Sequence, residues 1–136
     1  MAKKIKHFRH SYQELDKVAR KYYGDRGFCS VIATAVACDL SFGTALKFSK
    51  QAGRKHRQGS NWLMIEEMCR LGGKRLVRCH DFGKTLTTSE RNAPKLGRFI
   101  FLVSGHVAAM RDGVLEDWSA EGSKRRIIAT FEVEDI

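Results

Sequence analysis

Apolar residues recur every three or four positions through the first half of the chain, which is the spacing of amphipathic helices. Ser11 caps a first predicted helix that ends at Gly24, and Ser41 caps a third. Residues 29–38 are apolar on nearly every side, which is typical of a central buried helix, and a fourth helix is predicted over 62–71. On the third and fourth helices, the residues predicted to face inward are Phe42, Ala45, Leu46, Ser49, Trp62, Ile65, Met68 and Cys69.

The second half of the chain changes to the two-residue period of strands. Residues 83–96, which include the one proline, are predicted to form a loop or an irregular segment. Asp112–Gly113 is the dipeptide favoured in a two-residue hairpin turn. The predicted strands cover 74–79, 99–103, 107–110, 114–118 and 126–133.

The order of these elements, helices first and antiparallel strands afterwards, predicts an α+β fold. With 136 residues, the chain is long enough to bury one core and too short for two ordinary domains. We therefore expect a single domain over 1–136, with a helical half at about 11–72 and a β half at about 74–134.

Charge is distributed unevenly along the chain, whose net charge is +10. Residues 1–78 hold 17 Lys and Arg against 6 Asp and Glu, whereas residues 79–136 hold 8 against 9. A basic surface suits nucleic acid or an acidic partner. No helix-turn-helix, zinc-finger or aromatic RNA-binding motif accompanies the charge, so a nucleic-acid-binding module is the less favoured alternative.

Four cysteines and the absence of long apolar runs bear on the cellular compartment. No run approaches the roughly 20 residues of a membrane span, and the basic start is unlike a secretory signal, so we expect a cytoplasmic protein without a membrane partner. In a reducing compartment the cysteines are expected to be free thiols. No pair of them has CxxC spacing, so we predict no metal site and no cofactor.

Cys29 stands at the start of the predicted buried helix. The positive end of the helix dipole and the unpaired amides there favour a thiolate, and the same amides can hold an oxyanion. The alternative is a small buried residue that simply begins a core helix.

The register of the predicted hairpin indicates which histidine and which carboxylate share a face and can assist a nucleophile. If Asp112–Gly113 are the two turn residues, Ala108 faces Asp117, and His106 becomes a diagonal neighbour of Asp117 on the same face. Diagonal pairs lie about 7 Å apart at the backbone, within reach of an imidazole–carboxylate hydrogen bond. Glu116 points to the other face. We expect the face of His106 to be the one directed at the helix that begins with the cysteine.

Several short motifs resemble those of the papain-like cysteine peptidase superfamily. They are Gly27–Ser30 entering an apolar helix, Gly105–Val107 on a strand and Asp117–Trp118 on the next. The chain especially resembles compact phage and bacterial members with a basic loop, here residues 53–57. The similarity covers about residues 24–120, and it implies a papain-like fold and amide hydrolysis or acyl transfer on a protein or peptide.

In the site that this resemblance implies, Cys29 attacks a carbonyl, His106 takes and later donates the proton, and Asp117 orients the imidazole. The superfamily usually carries a glutamine shortly before the nucleophile, and none stands there in this chain. Arg26, Asn61 or a backbone amide would then have to bind the oxyanion.

Arg54 and Arg57 in the basic loop are further candidates for substrate binding, because cations suit an acidic substrate or a phosphate. A short charged loop is more often simply solvated. If the oxyanion hole is incomplete, the alternative function is a catalytically weak or inactive protein on the same fold that binds a host protein.

Overall fold

A computed structural model describes residues 17, 29–54, 62–103, 106–116 and 126–136. Within these ranges the chain is a mixture of helices and an antiparallel sheet, which confirms the α+β class. The predicted helix over 11–24 lies outside the described residues, apart from the helical Lys17. The elements are α1 (Cys29–Cys38), α2 (Phe42–Gln51), α3 (Trp62–Leu71), α4 (Leu86–Asn92), β1 (Lys74–Cys79), β2 (Arg98–Val103), β3 (His106–Arg111), β4 (Val114–Glu116) and β5 (Ile127–Asp135).

Helix α1 is the centre of the core, as its uniform apolarity predicts, since Ser30 to Cys38 are all buried. Its C-terminus closes in a Schellman motif, with the Leu40 N–H donating to the Ala35 carbonyl at 2.8 Å. Asp39 adopts the left-handed conformation that this motif requires, with φ at 57°. Glycine is the usual residue there, because a side chain is strained in that conformation.

Helices α2 and α3 also follow the sequence pattern. The Ser41 side chain caps α2 by accepting from the Thr44 N–H at 3.2 Å. The predicted inward residues are buried with one exception. Trp62 is 46% exposed, so its predicted inward position is wrong, although its ring stacks on Phe131 at 6.2 Å between centroids.

The prediction of a loop over 83–96 is wrong where α4 forms. Thr85 and Thr88 make a reciprocal capping box, in which each side chain accepts from the other residue's N–H, at 3.2 and 3.0 Å. The usual sequence signal for such a box has Glu or Gln at the second position. Threonine is also β-branched and a weak helix former, so the local pattern does not favour a helix.

The described strands form one antiparallel sheet in the order β1–β5–β2–β3–β4. Asp112 and Gly113 both have positive φ, at 51° and 82°, which is the type I′ geometry of a two-residue hairpin. Ala109 pairs with Glu116 and Arg111 pairs with Val114, so the predicted register of this hairpin is confirmed. The turn is tied to the residue before β2, since the Asp112 N–H donates to the Gly97 carbonyl at 2.8 Å.

Each face of the sheet carries its own apolar cluster. One face, here called the α1 face, packs Val107 and Ala109 of β3 in the same cluster as α1, α2 and α3. The other, the α4 face, packs Ala108 and Met110 with Leu86 of α4. Strand β3 is therefore buried on both sides.

No single helix among the described residues is long and apolar enough to cross a membrane. The pair α1 and α2 meets those criteria of length and composition only when taken together, across a bend of 117°.

Candidate active site

The packing of α1 on β3 decides which ends of these two elements meet. Among the described elements, β3 is the one against which α1 packs most extensively. At one end of the pair, Arg111 Nη1 lies 3.3 Å from Asp39 Oδ1, which joins the last residue of β3 to the residue after α1. A helix of 10 residues and a strand of 6 are both about 15–20 Å long. The other ends, which begin at Cys29 and His106, therefore lie at one end of the sheet, here called the site end.

Cys29 is half-buried, whereas every other residue of α1 is buried. It occupies the first position of the helix, where backbone N–H groups have no partner within the helix. The next turn is fixed by a hydrogen bond from Thr34 Oγ1 to the Ser30 carbonyl at 2.8 Å. A half-buried thiol thus lies at the positive end of a buried helix, which is the position that the sequence predicts for Cys29.

His106 is the first residue of β3 and is 4% exposed. It pairs with Val103 of β2, and by strand alternation it shares the α4 face with Ala108 and Met110. Helix α1 covers the opposite face, so the structure differs from the predicted arrangement in which His106 faces that helix. His106 is the first residue of β3, so an imidazole that approaches α1 has to do so around the end of the sheet.

The other predicted site residues are described in part. Asp117, Arg26, Arg57 and Asn61 lie outside the described residues. Arg54 is described and is 4% exposed, so its side chain is not part of a solvated loop. Its N–H donates to the Ser49 carbonyl at 2.9 Å, which fixes the backbone immediately after α2.

Glu116 is a buried carboxylate that the sequence argument set aside. It is 4% exposed and pairs with Ala109, which places it on the α1 face. Asp117 lies outside the described residues, so the predicted His106–Asp117 pairing stays a prediction. Sequence register indicated the face of Glu116 correctly but gave no sign that the carboxylate would be buried.

The remaining thiols have surroundings unlike that of Cys29. Cys38 and Cys69 are buried in the core and in contact, with their Sγ atoms 3.8 Å apart. Burial, and then the carboxylates of Glu132 and Asp81, raise the pKa of the Cys79 thiol. Of the two half-buried thiols, Cys29 and Cys79, Cys29 is therefore the one that lies at a helix N-terminus.

Two further observations concern parts of the described structure other than Cys29 and His106. A surface cavity of about 330 Å³ is lined by residues of α3 and β1 and by Ile136, near the junction of α3 and β1 and away from the site end. Within the described ranges, no three His, Cys, Asp or Glu side chains come together as a set of metal ligands.

Comparison of the chain with protein-family models, curated proteins and solved structures finds no match. Function is therefore inferred from the placement of Cys29 and His106 and from the sequence motifs that contain them.

Proposed function

We propose that this protein is a papain-like thiol hydrolase, with Cys29 as nucleophile, His106 as general base and acid, and Asp117 as the residue that orients the imidazole. One observation carries the proposal. The half-buried Cys29 begins the central helix at the same end of the sheet as the first residue of β3, because Asp39 and Arg111 join the opposite ends.

The proposed reaction is hydrolysis of an amide or acyl bond in a protein or peptide in the cytoplasm. The Cys29 thiolate attacks the carbonyl carbon, and backbone amides at the start of α1 stabilise the oxyanion. His106 then donates a proton to the leaving group, and water cleaves the resulting thioester with His106 as base. The imidazole performs these steps from the end of the sheet, which requires that it turn around the first residue of β3 towards α1.

Selective alkylation tests the proposed nucleophile. Iodoacetamide at pH 6–7 should modify Cys29 faster than Cys38, Cys69 or Cys79, because a helix N-terminus and a nearby imidazole base activate a thiol as a nucleophile. Peptide mass spectrometry ranks the four rates. His106→Ala should remove the advantage of Cys29, while Cys79→Ser, the control, should leave it unchanged. Equal rates for Cys29 and Cys79 would refute an activated nucleophile.

Two variants test which carboxylate, that of Asp117 or that of Glu116, orients the imidazole. Asp117→Asn should lower the alkylation rate of Cys29 and the turnover of any peptide substrate, because the imidazole loses its orienting partner. Glu116→Gln changes the neighbouring carboxylate, which lies on the α1 face. If Glu116→Gln lowers activity and Asp117→Asn does not, the assignment of the carboxylate is wrong.

The face occupied by His106 favours a second candidate function, a catalytically inactive protein on the same fold that binds a host protein. A screen of fluorogenic peptides separates the two. Turnover that Cys29→Ala abolishes, with folding intact, supports the hydrolase. Absence of turnover, together with capture of a cytosolic protein that is unaffected by Cys29→Ala, supports the binding protein.

A further inference from the structure

Two of the four cysteines contact one another between α1 and α3, near the C-terminal ends of both helices. Cys38 is the last residue of α1, and Cys69 lies in the last turn of α3. Their exposed fractions are 4% and 0%, and the Cys38 thiol donates to Cys69 Sγ across 3.8 Å. Neither thiol belongs to the proposed reaction at Cys29, which lies at the opposite end of α1.

We propose that Cys38 and Cys69 are a dithiol that hydrogen peroxide closes into a disulfide between α1 and α3. The sulfurs of a disulfide lie about 2.05 Å apart, so the two Sγ atoms must approach by less than about 2 Å. Both residues are on helices that pack in the same apolar cluster, so the partners are already held side by side.

The oxidation balances with peroxide as the oxidant. Cys38 loses its proton and its sulfur bonds to one peroxide oxygen as the O–O bond breaks, giving a sulfenic acid and water. The Cys69 sulfur, as its own proton leaves, attacks the Cys38 sulfur, the S–O bond breaks, and a second water is released. Two thiols have then lost two electrons, and one peroxide has been reduced to two waters.

The surroundings assign the two sulfurs different parts in this sequence. Contact with Cys38, and then burial, raise the pKa of the Cys69 thiol far above its ordinary value. Cys38 retains some exposure and Cys69 has none, so Cys38 is the sulfur that peroxide reaches first. Burial also excludes bulky disulfide reagents, so the oxidant class is a small peroxide.

Closing this bond changes the stability of the helical layer. The residues are 31 positions apart, so the bond closes a loop that contains α2. Limiting the unfolded chain by a loop of that length should raise the melting temperature by about 10 °C.

The test uses the full chain with Cys29→Ser and Cys79→Ser, which leaves only Cys38 and Cys69. We expect peroxide to remove the mass of two hydrogens under native conditions, and we expect the melting temperature to rise and to fall back on addition of dithiothreitol. The matched control adds Cys69→Ser and should gain oxygen at Cys38 without the rise. Addition of oxygen without loss of hydrogen in the parent, loss of hydrogen only in denaturant, or an unchanged melting temperature would each overturn the proposal. None of these outcomes bears on the role of Cys29.

Discussion

Replacing Asp39 tests the contact that sets α1 along β3. This residue has two roles, because its backbone holds the left-handed position of the Schellman motif and its carboxylate lies 3.3 Å from the Arg111 guanidinium. Asparagine removes the charge but tolerates the same backbone conformation. Glycine removes the charge and also relieves the strain, and alanine removes the charge and increases the strain.

The expected free energies follow from the burial of the pair. The Arg111 side chain is 12% exposed and that of Asp39 is 38% exposed, so the ion pair is intermediate between surface and core. Surface pairs contribute about 0.2–1 kcal/mol and breaking buried pairs costs about 3–5 kcal/mol, so we expect Asp39→Asn to lose about 1–2 kcal/mol. Asp39→Gly should lose roughly 0.5 kcal/mol less than asparagine, and Asp39→Ala about 1 kcal/mol more.

Urea unfolding of the three variants measures these differences, with Asp135→Asn as a control. Asp135 also forms an ion pair, with Lys74, but its side chain is 79% exposed, so its replacement should destabilise the fold less than Asp39→Asn does. The Asp39→Asn loss should also shrink in 1 M salt, which screens charges beyond about 3 Å. Equal stability of Asp39→Asn and the parent, or of the glycine and alanine variants, would refute the reasoning.

Two further predictions concern the hairpin and the thiols. Gly113→Ala should destabilise the fold by about 1–2 kcal/mol in urea, because φ is 82° and an added Cβ would lie 3.2 Å from Lys95 Cδ. Gly73→Ala is the control: its φ is 79° and an added Cβ would have nothing within 4 Å, so it should lose less stability. Equal losses in the two variants would contradict the contact with Lys95. The raised pKa values of Cys69 and Cys79 imply that the unfolded chain loses thiol protons first. The free energy of unfolding should therefore be level to about pH 8 and fall as the pH rises above the ordinary thiol pKa of about 8.5. Urea titrations at several pH values measure how steeply the free energy of unfolding falls. Cys79→Ser should make this fall less steep, and an unchanged slope in that variant would contradict the prediction.

Local signals predicted most of the fold. The cap at Ser41 and the turn at Asp112–Gly113 act through contacts within a few residues, so the start of α2 and the hairpin register could be predicted from sequence. Helix α4 was missed because its cap uses Thr88 where the usual signal has an acid or an amide. The stacking of Trp62 on Phe131 is a contact between distant parts of the chain, which periodicity does not predict.

The candidate site could be predicted only in part. Register correctly separates His106 and Ala108 from Val107 and Ala109, but it does not say which set faces the helix. A strand usually shows which of its faces is buried by carrying polar residues on the other face. Strand β3 carries no such polar face, because its first five residues are buried. Helix α1 covers Val107 and Ala109, whereas the predicted arrangement has it facing His106.

The position of β5 affects how the sheet can be completed during folding. It lies between β1 and β2 in space, although it is the last described strand in the chain. Until it has been synthesised, β1 has no neighbour in the described sheet, and β2 has an open edge where β5 belongs. Open strand edges pair readily with other chains, so nascent or truncated molecules that lack β5 should aggregate more readily than molecules with the complete sheet. Because its partners are far away in sequence, insertion of this strand should also be the slow step of folding.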